Sequence, residues 1–384
     1  MAAAMTRNNA NRYRFPQRHH NRFQLLVDSD HFFPVMLNAI ATAQHSVILE
    51  MYLLESGTLL TRFIDTLITS ANRGVAIFLL FDDFGALGIN KADRQRLADH
   101  THIHLKFYGP IHYRRWQHLL SRNHRKLLLV DNRIAFIGGA GISDAFTGEQ
   151  GWHELMVQVE GECVQDWLAL FIDNWPGTAD EIKPLTATPC RYPTTAEQSG
   201  RTTLSQLLSH QEIQSALLRR LATAKHEVWI ITAYFVPSWR LRRALKAAAQ
   251  RGVDVRLILP GHHTDHPAIR HAGHRFYHHL LCHGVRIFEY QPRFTHAKAY
   301  LCDQWCSIGS SNLDRWNLRW NLEGNQEIDA PEFALALKTT LEHDLLECKE
   351  INLTSWQARP WPHRLLEWFW GRIDAGLTYL SNRH

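Results

Sequence analysis

The sequence predicts an α/β fold of two duplicated lobes, each a mixed, mostly parallel sheet flanked by helices, related by a pseudo-twofold axis. Three repeated passages carry that prediction. Ala43-Gln44-His45-Ser46-Val47-Ile48 returns as Ala224-Lys225-His226-Glu227-Val228-Trp229, and Arg73-Gly74-Val75 returns as Arg251-Gly252-Val253. His124-Arg125-Lys126 with Asp131 returns as His296-Ala297-Lys298 with Asp303, each an H-x-K-x₄-D motif. The offsets are 181 (226 − 45), 178 (252 − 74) and 172 residues (296 − 124), so the copies differ only by short insertions.

The elements follow in order. Residues 1–21 are a polar, basic tail without the apolar core of a signal peptide. The first lobe covers 22–180. In it Ser46–Tyr52, Val75–Phe81, His102–Tyr108, Lys126–Val130 and Ile134–Ile137 are short apolar runs that read as strands. Leu59–Ala71 and Asp93–Ala98 have the apolar spacing of amphipathic helices. Residues 181–203, rich in Thr and Pro, read as a linker, and 204–350 form the second lobe. Residues 351–384 are an amphipathic, aromatic C-terminal segment. Within it Trp361–Leu380 sets Trp368, Phe369 and Trp370 beside Arg364 and Arg372, which suits a helix lying in a membrane interface. The same pattern suits a helix packed on the protein's own lobes or on a second subunit. No stretch approaches the roughly 20 apolar residues of a spanning helix, so the chain is expected not to be threaded through a membrane.

A hydrophobic fraction of 45% with 21% charged residues excludes wholesale disorder. The net charge of +5 points to an anionic partner, and nucleic acid and anionic lipid fit it equally. The six cysteines stand singly, which indicates neither a zinc ribbon nor a disulfide framework and makes the reducing cytoplasm the default. The run His262–His283 holds eight histidines, with His271, His274 and His278 at helical spacing. It reads as an exposed helix and not as a metal set.

In a strand, His and Lys two residues apart project from one face. Each lobe therefore offers an imidazole and an ammonium to the junction between the lobes. Two lysines stabilise the oxygens of a phosphoryl group as phosphorus becomes five-coordinate. One imidazole attacks phosphorus; the other protonates the leaving alkoxide and deprotonates the incoming hydroxyl. With the positive charge supplied by lysine, no metal or other cofactor is required. A nucleophilic histidine needs its second ring nitrogen held by a carboxylate. Glu154 and Glu323 are the candidates, 30 (154 − 124) and 27 (323 − 296) residues after the histidines of their own lobes. Asp131 and Asp303 complete the two motifs, but each follows a buried strand and reads as a support of the turn more than a contact to substrate.

Several stretches together resemble one family. They are Leu49-Glu50-Met51-Tyr52, Asn123-His124-Arg125-Lys126, Ile134-Ala135-Phe136-Ile137-Gly138-Gly139, Ala233-Tyr234-Phe235-Val236-Pro237 and Gly309-Ser310-Ser311-Asn312-Leu313-Asp314, continuing to Asn321-Leu322-Glu323. The chain resembles the phospholipase D superfamily from about Phe23 to Glu350 and, within it, the bacterial cardiolipin synthases of the shorter type B. The resemblance implies two phospholipase D-like lobes with His124, Lys126, Asp131, His296, Lys298 and Asp303 as the catalytic set. It implies Glu154, Gly139, Ser311, Asn312 and Glu323 in support. It also implies condensation of two phosphatidylglycerols, through a phosphatidyl-histidine on His124, into cardiolipin and glycerol. The expected partner is an anionic phospholipid, phosphatidylglycerol or phosphatidylethanolamine, with no nucleic acid. The expected location is peripheral, at the cytoplasmic face of a bacterial inner membrane.

Two positions depart from the family. Gly141 stands where an asparagine is usual, leaving Asn312 without a partner amide, a loss of about 1–3 kcal/mol of phosphate stabilisation. The second motif is also one residue shorter between Asp303 and Gly309 than the first between Asp131 and Gly138. Two other readings stay open: a hydrolase of phospholipid or DNA from the same superfamily, and a membrane- or nucleic-acid-binding protein with a dead site. Both His–Lys pairs are intact, which argues against the dead site. The aromatic, basic C-terminus argues for lipid over DNA.

Overall fold

Where apolar strand and amphipathic helix alternate, the chain builds the parallel part of a sheet; where two strands lie a few residues apart, it turns back on itself as a hairpin. The computed structural model describes residues 14–110, 121–187, 197–206, 210–314 and 321–359. The first lobe begins with β1 (Arg18–Val27), helix Ser29–Ala41, β2 (Ser46–Met51), helix Thr58–Asn72, β3 (Ala76–Asp82), helix Lys91–Ala98 and β4 (Ile103–Tyr108). It ends with β5 (Leu127–Val130), β6 (Ile134–Gly138), β7 (Leu155–Gly161) and helix Cys163–Asn174. After a short helix, Lys183–Ala187, come β8 (Gln198–Gln206), β9 (His210–Gln211), helix Glu212–Thr223, β10 (Glu227–Thr232), β11 (Phe235–Val236), helix Trp239–Gln250 and β12 (Asp254–Pro260). Helices Pro267–His274 and Tyr277–Leu281 lead to β13 (Arg286–Tyr290), β14 (Lys298–Cys302), β15 (Trp305–Gly309), β16 (Leu313–Asp314) and β17 (Leu322–Asp329). Helix Pro331–Leu346, β18 (Cys348–Ile351) and helix Leu353–Gln357 follow.

The two lobes share one continuous sheet, in the order β18-β13-β12-β10-β14-β15-β17-β8-β1-β7-β6-β5-β2-β3-β4. The junction is β1 against β8, with Arg18 opposite Gly200 and Asn21 opposite Gln198. The α/β class and the flanking helices are as expected, but parallel pairing is the minority. In this sheet it is confined to β2–β3–β4 and β10–β12–β13, and the strands carrying the motifs pair antiparallel; β11 and β16 form a separate parallel pair. Only three residues separate β5 from β6, too few for a parallel crossover. Two boundaries also move. β8 takes the last residues of the expected linker, and β1 begins at Arg18, inside the expected tail. Both strands carry many polar residues, so hydrophobic runs do not mark them.

Successive residues of each central strand enter different cores. Ile48, Leu127, Leu129, Ile231, Ala299 and Leu301 join one core shared by both lobes, under helices Cys163–Asn174 and Pro331–Leu346. Val47, Leu49, Leu128 and Val130 meet helices Ser29–Ala41 and Thr58–Asn72; Val228, Ile230, Tyr300 and Cys302 meet Glu212–Thr223 and Trp239–Gln250. This alternation is the period of a strand covered on both faces.

The repeated passages have repeated jobs. Gly74 and Gly252, at φ 90° and 89°, end a helix in the left-handed region that favours glycine. Beside them Arg73 and Arg251 each donate to carbonyls at the end of the preceding helix, Ala41 and Leu221, both at 2.7 Å. Asp131 and Asp303, at φ 53° and 51°, close the β5–β6 and β14–β15 turns. Asp131 accepts from the backbone N–H of Gln44, His45 and Ser46 at 2.9, 2.7 and 2.9 Å. Asp303 accepts from Lys225, His226 and Glu227 at 2.9, 2.9 and 3.1 Å.

The histidine-rich run differs from its expectation. It forms two helices, and His274 is buried with Nε2 3.1 Å from Glu289, which also binds Arg270. Among the described residues no group of three or more His, Cys, Asp or Glu is arranged to hold a metal ion. No described helix is long and apolar enough to cross a membrane. Trp356 is a core residue, its ring 4.8 Å from that of Tyr277. Trp361–Leu380, Trp320 and Cys190 lie outside the described residues.

Candidate active site

Both H-x-K segments lead into central strands, β5 and β14, and both are buried at the junction of the lobes. The pairing of histidine with glutamate is crossed. His124 Nδ1 lies 2.9 and 3.1 Å from the two carboxylate oxygens of Glu323, and His296 Nδ1 lies 2.7 Å from Glu154 Oε2. The expected pairing within each lobe is therefore corrected: each carboxylate serves the histidine of the other lobe. The backbone enforces the exchange. The His124 N–H donates to Leu322 O at 2.9 Å and the Leu322 N–H to Arg122 O at 2.8 Å. The symmetry-related bonds are His296 N–H to His153 O at 2.7 Å and His153 N–H to Phe294 O at 2.9 Å. Each histidine is thus bonded, by main chain and side chain, to two consecutive residues of the other lobe.

Lys126 Nζ donates to His124 O at 2.8 Å, and Lys298 donates to His296 O and lies 3.5 Å from Glu154 Oε2. The two glutamates and Lys298 are fully buried and Lys126 nearly so, while the histidines keep 7–9% exposure. Burial pushes the His124 imidazole down, with Glu323 pulling it back and Lys126 adding to the fall. His296 is driven further down, by burial and then by Lys298 and Lys126. Both rings are held in the neutral form a nucleophile requires. Burial also lowers Lys298, takes Lys126 down to about 7, and pushes the Glu154 carboxyl up to about 7.

The turns after β6 and β15 complete the cradle. Gly139 lies so close to the Glu154 carboxylate that a Cβ would overlap it; its counterpart Ser310 donates its hydroxyl to Glu323 instead. Next along, Ser311 Oγ and both side-chain polar atoms of Asn312 are buried with no hydrogen-bond partner. Unpaired buried polar groups are costly, and the two donors among these, the Ser311 hydroxyl and the Asn312 amide N–H, suit the oxygens of a bound anion. Gly141 is not an open place for a missing amide: a Cβ there would lie 2.7 Å from both the Leu53 carbonyl oxygen and the Leu53 Cβ. Asp131 and Asp303, counted in the catalytic set, are corrected to structural residues. Each sits at the far end of its motif strand, roughly 16 Å along the chain from the lysine, with its carboxylate engaged by three amides.

Sequence reasoning missed other residues. Tyr52 and Tyr234 follow shortly after the first repeated passage in each lobe, and each lies edge-on to a histidine, at 4.7 Å from His124 and 6.4 Å from His296. Their matching place in the repeat was the available signal. Under the first motif, Glu50 accepts from Asn123 at 2.6 Å and pairs with Arg125 at 3.3 Å, all three buried. His153 bridges Asp28 at 2.9 Å and Asp344 at 3.2 Å; burial opposes its charge, yet Asp344 and Asp28 lift it to about 10. Nothing in the sequence pattern marks that bridge, because its members lie 125 and 191 residues apart.

Several known proteins are similar to this chain over most of its length. A family model described as "Cardiolipin synthase, PLD-like domain" matches residues 36–175 and 217–345. Cardiolipin synthase B of Salmonella typhimurium is 32% identical, covering 95% of this chain and 88% of that protein. The Escherichia coli protein of the same name is 30% identical with the same coverage. Cardiolipin synthase A of Pseudomonas fluorescens is 31% identical over 88% of this chain and 71% of its own. In fold, the chain is similar to the phosphatidylserine synthase of Haemophilus influenzae, with TM-score 0.71, 15% identity and 97% of each chain covered.

Proposed function

Since the chain belongs to the cardiolipin synthase family of phospholipase D-like domains, we propose that it moves a phosphatidyl group from one phosphatidylglycerol to the headgroup hydroxyl of another and releases glycerol. The supporting observation is the crossed pairing, which joins two neutral imidazoles and two lysines in one buried site. His124, taken as nucleophile after the family, attacks phosphorus through Nε2 while Glu323 holds Nδ1–H. The P–N bond forms as the P–O bond to glycerol breaks, and His296 gives the leaving alkoxide its proton. His296 then takes a proton from the second lipid's hydroxyl, whose oxygen displaces His124 from phosphorus. Lys126, Lys298, Ser311 and Asn312 hold the non-bridging oxygens.

The free enzyme favours neutral His296, so the acid must be charged by substrate. The lysines are among the causes that lower this imidazole. A bound phosphodiester offsets their charge and raises it again. The substrate thereby brings the site into its proton-donating state.

The working place in this reading is an anionic membrane surface, met peripherally, with the aromatic and basic sequence of 361–380 contributing to the hold. Purified protein with phosphatidylglycerol vesicles, followed by lipid mass spectrometry, tests the reading. Cardiolipin and glycerol in equal amounts are expected. Phosphatidic acid alone would identify a hydrolase, and no product a binding protein.

A further inference from the structure

The second lobe brings a Tyr–Asp–His group to the edge of the site that the transfer mechanism above does not use. The Tyr234 ring lies 6.4 Å from His296 and 6.5 Å from Phe294. Its hydroxyl donates to Asp265 Oδ2 at 2.5 Å. The His266 ring is 5.6 Å from that of Tyr234, and its Nε2 is 3.7 Å from the same carboxylate oxygen. The side chains of Asp265 and His266 are 21% and 59% exposed, so a ligand can reach them from solvent. Among the described residues Tyr52, the tyrosine beside the first lobe's histidine, makes no such bond to a carboxylate.

A carboxylate here is chemically odd. Its field reaches Lys298, where it ranks behind only Glu154 among the charges that support the ammonium. A negative charge at the edge of a phosphate site opposes entry of the anion, so its use lies in accepting hydrogen bonds. An ammonium headgroup would meet repulsion from Lys126 and Lys298, whereas a neutral hydroxyl meets none. Tyr234 occupies one carboxylate oxygen and leaves Oδ1 for a ligand.

We propose that Asp265, braced by Tyr234 and His266, is the subsite for the glycerol hydroxyls of the acceptor headgroup. This rests on the phosphatidyl-transfer reading and adds what selects the acceptor. A headgroup held at Asp265 by one hydroxyl presents its neighbouring hydroxyl to His296. The proton passes to His296 Nε2, the hydroxyl oxygen bonds to phosphorus, and the P–N bond to His124 breaks. Water entering by the same route gives phosphatidic acid. The subsite therefore governs the division of one intermediate between transfer and hydrolysis, and it accounts for the group's position on the His296 side alone.

The test is the ratio of cardiolipin to phosphatidic acid formed by the full chain on phosphatidylglycerol vesicles. Both products come from the same phosphatidyl-enzyme, so a general loss of activity or folding leaves the ratio unmoved. Asp265→Ala is expected to lower it about tenfold, as loss of one charged hydrogen bond would. With ethanol as acceptor, which has no second hydroxyl to hold, the ratio of phosphatidylethanol to phosphatidic acid should stay within about twofold. An equal fall with ethanol would show that Asp265 only excludes water, and would overturn the subsite. So would an unchanged cardiolipin ratio, or a loss confined to phosphatidylethanolamine as donor. Wild-type protein that releases glycerol but forms only phosphatidic acid overturns the transfer reading and the subsite together.

Discussion

His124 Nδ1 lies 2.9 Å from a carboxylate oxygen of Glu323, a residue 199 positions further along the chain and in the other lobe. The mirrored bond, His296 to Glu154, spans 142 positions. Each imidazole is thus oriented by the opposite half of the duplication, and the two carboxylates can be perturbed separately.

That separation gives a trapping experiment. Glu154→Gln leaves His296 without the carboxylate that holds its Nδ1, so with a p-nitrophenyl phosphodiester, whose leaving group needs no proton, phosphatidyl-His124 should accumulate and be seen in the intact-protein mass. Glu323→Gln weakens the attack itself and should give no adduct. Turnover should fall by about 10²–10⁴ in both. Adduct in Glu323→Gln instead would exchange the roles of the two histidines.

Lys126 should show itself in pH dependence. With its folded pKa at about 7 and a value of 10.5 outside the fold, it loses its proton in the free enzyme as pH rises through neutrality. kcat/KM is therefore expected to fall above about pH 7, while the limb in kcat lies higher because bound phosphate favours the ammonium. Between these two pKa values the unfolded chain holds a proton that the folded chain lacks, so stability rises with pH across that window. Lys126→Met should abolish turnover yet raise the denaturation midpoint, more at pH 6 than at pH 9, by on the order of 3 kcal/mol. A midpoint that drops at pH 6 would refute this.

The motif aspartates should separate stability from chemistry. Asp131→Ala removes the acceptor of three backbone N–H groups and puts alanine at φ 53°. A loss of about 2–4 kcal/mol is expected, with kcat of the folded fraction within about threefold of wild type. Asp131→Asn should cost less, since asparagine tolerates that backbone and still accepts. A thousandfold loss of kcat in a stable variant would return the residue to the catalytic set.

The two turns after the motifs should respond in opposite senses. Gly141→Ala drives a methyl against the Leu53 backbone and should destabilise by about 1–3 kcal/mol. Asn312→Ala removes a buried amide that finds no partner within the protein. Its midpoint should hold or rise while inhibition by inorganic phosphate weakens about tenfold.

The residues of the candidate site were legible in the sequence; its wiring was not. The two His–Lys pairs and both glutamates stood out because motif and repeat are local. The intervals of 30 and 27 residues invited pairing within a lobe, and only the three-dimensional junction crosses the partners. The short β5–β6 connection did signal an antiparallel hairpin, but the strand–helix alternation from β2 to β4 outweighed it. Gly141 read as a lost ligand because its real constraint, the Leu53 backbone 2.7 Å away, is a contact between segments far apart in sequence.

The crossed bonds also constrain how such a molecule arises. A single ancestral lobe would contain a histidine and a glutamate unable to reach each other, and would complete both pairs only by meeting a second copy of itself. Fusing the two copies turns that encounter into an intramolecular one and frees activity from protein concentration. It also ties each half's drift to the other: a change at Glu323 is felt at His124, and its compensation must come from the opposite half of the gene.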